Sequence, residues 1–110
     1  MKLKNLTPHE LVFITSSGEF RLPASDKPAR VEVESRKAGE IAGLPVIIQR
    51  FGEEIENLPE PQDGVVYVVS ALAAQAAWAQ GRNDIVTVAD PVRDSEGRII
   101  GARALGARPR

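Results

Sequence analysis

The chain has 110 residues, 43% hydrophobic and 26% charged, a balance that suits one globular domain with a modest core. It contains no cysteine, which excludes disulfides, thiolate catalysis and Cys-based zinc sites. A net charge of −1 provides no general basic footprint for duplex DNA, so no specific DNA binding is expected.

The opening Met1-Lys2-Leu3-Lys4-Asn5 is not followed by a long apolar run, so no signal peptide is expected. Residues 71–79, the longest apolar-rich segment, are too few to span a bilayer, and a soluble cytoplasmic protein without a membrane partner is expected. Leu3–Leu6 is a short apolar piece stopped by Thr7-Pro8-His9, because proline cannot donate to a strand ladder. Leu11–Thr15, β-branched and aromatic, and Glu19–Leu22, alternating, flank a Ser16-Ser17-Gly18 turn and predict a β-hairpin. Residues 23–28 form a loop with a proline at each end, and 29–35 alternate with period two, as a half-buried strand does. Residues 36–44, with two glycines and mixed polarity, read as a hairpin connection. Pro45–Phe51 is apolar enough at its centre for a strand covered on both faces. Residues 53–63 carry five carboxylates and two prolines and read as an exposed loop.

Val65–Val69 reads as the central strand. Ser70 then stands where a helix N-cap belongs, ahead of an alanine-rich segment, residues 71–80, that Gly81 closes. A helix with almost no charged face is expected to be buried on more than one side, against the sheet and against a second subunit, so a homo-oligomer is expected. Ile85–Ala89 is a strand stopped by Asp90-Pro91, and Ile99–Leu105 pairs back after the turn residues Asp94-Ser95-Glu96-Gly97. The sum is a single α+β domain over residues 1–110: a mostly antiparallel curled sheet or small barrel of about six to eight strands with one helix. Residues 106–110 form a basic tail.

Several short motifs run through the chain in order. They are Asn5-Leu6-Thr7-Pro8-His9, Phe51-Gly52-Glu53 with Leu58-Pro59-Glu60, Tyr67-Val68-Val69-Ser70, and Ala74-Gln75-Ala76. Arg82-Asn83-Asp84 and the segment from Val92-Arg93-Asp94 through Gly97-Arg98-Ile99-Ile100-Gly101 complete the set. On these the chain, over roughly residues 5–105, resembles a family of small phage and prophage proteins. The resemblance implies a phage or actinobacterial setting and the cytoplasm of a bacterial host rather than a reaction, the family having no assigned enzymatic activity. By analogy with small phage proteins it also implies a role in host takeover or anti-defence.

The candidate ligand-binding residues are Thr7, His9, Ser70, Arg82, Asn83, Asp84, Arg93 and Asp94. Thr7 and the single histidine, His9, either satisfy backbone groups at a strand end or touch a ligand. With neither a second histidine nor a cysteine, no metal site and no cofactor is expected. The start of the helix at Ser70 directs backbone N–H groups outward, a geometry that favours anions. Arg82-Asn83-Asp84 either closes the helix or bonds a ribose or base edge. Arg93-Asp94 either pins its own hairpin or offers a guanidinium fork to phosphate. The catalytic set is empty, which favours capture without turnover: a sponge for a small anionic ligand such as a cyclic nucleotide or an ADP-ribose derivative. Two alternatives stay open. One is a host-protein inhibitor acting through the acidic 53–63 loop or the 71–80 helix, and the other is a hydrolase using His9.

Overall fold

A computed structural model describes residues 1–109; Arg110, the end of the basic tail, lies outside the described residues. Among them are eight strands and one helix: β1 (Lys2–Asn5), β2 (Leu11–Thr15), β3 (Gly18–Leu22), β4 (Arg30–Ile41), β5 (Leu44–Glu56), β6 (Val65–Val68), α1 (Ala71–Ala79), β7 (Ile85–Arg93) and β8 (Ile99–Gly106). Six strands form one curled sheet in the order β1-β6-β7-β8-β2-β3, while β4 and β5 pair only with each other. The α+β class, the curled sheet and the single alanine-rich helix are those the sequence predicts.

Antiparallel ladders join β2 to β3, β4 to β5 and β7 to β8. The parallel ladders, β1–β6, β6–β7 and β2–β8, are shorter. The parallel pairing of β6 with β7 follows from the crossover through α1, since parallel neighbours need such a connection. Most of the buried residues belong to one cluster. Ala73, Ala74 and Ala77 of α1 lie against Tyr67, Val69 and Ile85, and their small side chains let the helix sit close to the sheet. The Trp78 indole N–H donates to the Ile85 carbonyl at 3.1 Å and fixes the far end of the helix on β7. No helix among the described residues is long and apolar enough to cross a membrane.

Residues 53–56 of the expected acidic loop are the end of β5, and β7 runs on through Asp90 and Pro91 to Arg93, with Pro91 opposite Ala102, so the proline bends the strand without ending it. Two more expectations change at β4 and β5. Residues 36–44 are not a loose connection, because β4 runs to Ile41 and reverses through the two residues Ala42 and Gly43 at φ 54° and 80°. Positive φ at both central positions is the geometry whose twist matches a hairpin. A bulge between Lys37 and Gly39 absorbs the mixed pattern that reads as a connection. Nor is the strand at 45–51 covered on both faces: Ile47 and Ile48, adjacent and so on opposite faces, remain 49% and 47% exposed. Only the base of this hairpin reaches the core, through Val31 and Ile55, and the remainder projects as an arm. The radius of gyration of 16.6 Å and the 52 Å longest extent reflect it, since a compact chain of this length has a radius of about 13 Å. Helix α1 packs on β7 and on the base of the β4–β5 hairpin, and Leu72, 46% exposed, lies on the side that neither covers.

Candidate functional site

The Asn5–His9 segment forms a closed knot of hydrogen bonds. The Asn5 amide donates to the carbonyls of His9 at 2.8 Å and Pro23 at 2.9 Å. Its side-chain oxygen accepts from the Thr7 backbone N–H at 2.8 Å and from the Thr7 hydroxyl at 2.7 Å. Asn5 ends β1 and Pro23 follows β3, so one side chain ties together the two edge strands of the curled sheet. Two further backbone bonds, Ser25 N–H to the Thr7 carbonyl and Ala29 N–H to the Leu6 carbonyl, hold the next loop over it. His9 takes part through its carbonyl, and its side chain is exposed.

Arg82 and Asp84 form a bidentate pair, with Nε to Oδ1 at 2.9 Å and Nη2 to Oδ2 at 2.8 Å. Both side chains are mostly buried, at 18% and 16% exposure. Hydrogen bonding from Arg82 holds the Asp84 carboxyl below the usual carboxylate range, with burial acting in the opposite sense. The same pairing raises the Arg82 guanidinium above its ordinary value, again against burial. Arg82 also donates to the Pro59 carbonyl at 3.0 Å, which staples the acidic loop to the end of the helix. Asn83, between the two, lines a different depression with Trp78 and Arg108.

Arg93 and Asp94 are engaged in their own turn. Arg93 donates to the Gly97 carbonyl at 2.8 Å. The Asp94 carboxylate accepts the backbone N–H groups of Glu96 and Arg98 at 2.9 and 3.0 Å. Gly97, at φ 82°, takes the left-handed position that the turn requires. The Arg98 guanidinium lies against Asp94 and Glu96 on the surface.

Ser70 has the N-cap conformation, and its hydroxyl accepts from the Ala73 N–H. The Ala74 N–H bonds the Ser70 carbonyl at 2.9 Å, so those of Ala71 and Leu72 precede the first intrahelical acceptor. The first turn holds no acidic residue that would neutralise this positive end of the helix. Ser70 opens onto a cleft of about 280 Å³ that also contains Thr7, Pro8, Arg30 and Leu72. Arg30 makes no ion pair among the described residues, and its segment reads in the sequence only as one of several alternating strands.

The structure therefore brings Thr7 and Ser70 into one cleft and adds Arg30 to them. It places Arg82 and Asp84 at the other end of α1, Asn83 in its own depression, and Arg93 and Asp94 in the β7–β8 turn. Arg30 escapes sequence reasoning because residues 7, 30 and 70 meet only through the fold. No protein-family model, curated protein or solved structure matches this chain.

Proposed function

We propose that this chain is a phage-type binding protein that captures a small phosphate-bearing ligand and releases it unchanged. It would act as a sponge for a nucleotide-derived signal of bacterial immunity, such as a cyclic nucleotide or an ADP-ribose derivative. One observation carries this reading: Ser70 and Leu72, at a helix start with no acidic residue in its first turn, line a single cleft together with Arg30. Backbone N–H groups and a guanidinium are the donors that suit phosphate, and Leu72 with Pro8 supplies apolar wall for a sugar or base. The volume of about 280 Å³ lies just under the range for small-ligand sites, so the cleft takes one phosphate with its attached ring and the rest of a cyclic dinucleotide or ADP-ribose derivative would extend beyond it.

The test is a thermal-shift series with cyclic dinucleotides and ADP-ribose derivatives, followed by heat release and chromatography of the recovered ligand. Stabilisation by at least one of them, loss of that effect in Arg30→Ala, and recovery of unaltered ligand are expected. Absence of any shift at millimolar ligand contradicts the proposal. Recovery of a cleaved product contradicts capture and assigns the chain to hydrolysis.

A further inference from the structure

We propose that the groove between α1 and the base of the β4–β5 arm receives the base of the captured ligand, and that this base is adenine. The inference rests on the capture reading and deepens it, since it says where the part of the ligand that outgrows the cleft goes.

Two segments far apart in the chain meet in this groove: Phe51, Gly52 and Glu53 of β5, and Leu72, Gln75 and Ala76 of α1. Its volume is about 270 Å³. Val31 and Leu72 line both the groove and the cleft at Ser70, so the two depressions adjoin across these side chains. Neither alone reaches the range for small-ligand sites, and together they lie inside it. The spacing suits one nucleotide. At about 1.5 Å of rise per residue, Gln75 lies about 7.5 Å along the helix from Ser70. That is comparable with the separation of phosphate and base in a nucleoside 5′-monophosphate, with the ribose passing over Leu72.

The groove also has the chemistry that the cleft lacks. Val31, Leu72, Ala76 and Ala79 give it apolar walls, and the Phe51 ring, 47% exposed, offers a surface on which a base can stack. No basic residue among the described residues lines it. Glu53 stands beside the far end of α1, where its backbone carbonyl accepts from the Gln80 side chain. A phosphate is therefore disfavoured in the groove and favoured at the Arg30 end, which sets the direction of the ligand.

Gln75 supplies the selectivity. Its side chain is exposed beside the apolar wall and has no hydrogen-bond partner among the described residues. A carboxamide presents a donor and an acceptor side by side. Adenine answers with its amino group and the adjacent ring nitrogen, whereas guanine offers two acceptors on the corresponding edge.

The experiment is calorimetric titration of the full chain with AMP, GMP and ribose 5-phosphate, with circular dichroism to confirm that each variant folds. AMP is expected to bind at least about fivefold tighter than ribose 5-phosphate, the worth of one base stacked on one aromatic ring, and tighter than GMP. Phe51→Ala is expected to remove the advantage over ribose 5-phosphate, and Gln75→Ala the advantage over GMP. Phe20→Ala, which removes a similarly exposed ring from β3, is expected to preserve both. AMP and ribose 5-phosphate binding alike, or an AMP advantage that survives Phe51→Ala, overturns the base site and leaves the capture reading standing. Failure of AMP to bind a chain that cyclic dinucleotides or ADP-ribose stabilise does the same. GMP binding as tightly as AMP overturns the assignment of adenine. No binding by any of these compounds overturns the base site and the capture reading together.

Discussion

Replacing Asn5 by alanine is the sharpest test of how the fold closes. The side chain is 7% exposed and makes four short hydrogen bonds, two as donor and two as acceptor. In the alanine variant the Thr7 hydroxyl still reaches the His9 carbonyl, which it approaches at 3.1 Å, so one acceptor is recovered. The Thr7 N–H keeps no partner in a buried setting, whereas Pro23 is exposed and water can take over its carbonyl. At ~1–3 kcal/mol for an orphaned buried group, the expected loss is about 1–3 kcal/mol. For a domain of this size that lowers the melting temperature by roughly 5–15 °C. Urea denaturation followed by circular dichroism measures it, with coincident probes checking two-state behaviour. His9→Ala is the paired control: its bonded group is the carbonyl, which survives the substitution, so a change under about 0.5 kcal/mol is expected. An Asn5→Ala loss as small as the control's refutes the argument that this residue ties the sheet edges together.

Three further outcomes follow from the same geometry. Asp84 is held ionised by Arg82, so its stabilising contribution is complete at neutral pH and is lost as pH falls through and below the ordinary carboxylate range. The acid limb of urea stability between pH 7 and pH 3 is therefore expected to be flatter in Asp84→Asn than in the wild type, and parallel limbs contradict the assignment. Arg82→Ala leaves Asp84 uncompensated and frees the loop at Pro59, with an expected loss of about 3 kcal/mol by denaturant titration; a loss under about 1 kcal/mol contradicts the structural role of the pair. Gly101→Ala places a methyl 3.1 Å from Ile14 Cδ1 and 3.2 Å from the Val12 carbonyl, where β8 crosses β2. Overpacking there is expected to destabilise by ~1–3 kcal/mol, and a neutral result in thermal denaturation rules out so close a crossing.

The elements most legible in the sequence are those whose signals are local. The hairpin around Gly18, the strand at Val65–Val68, the cap at Ser70 and the closing Gly81 each depend on residues within a few positions, and each is present. The arm was obscured because its turn uses Ala42, an unusual residue at positive φ, and because its strand is interrupted by a bulge at Gly39. Its apolar run resembles a covered core strand, since apolar content alone does not report whether another element packs on the strand. The role of Asn5 is invisible for a different reason: its partners include the backbone of residue 23, brought near only when the sheet curls. Arg30 joins the cleft by the same kind of long-range approach, whereas Arg82 and Arg93 find their carboxylate or carbonyl partners two to four residues away and in large part satisfy themselves.

The capture account is tested most directly by amide chemical shifts of the labelled chain during titration with the ligand that stabilises it most. The account predicts the largest saturable shifts at the N–H groups of Ala71 and Leu72 and at the Arg30 side chain, with the β7–β8 turn unmoved. Shifts centred on Arg93 or Asn83, or none along the start of α1, would contradict it.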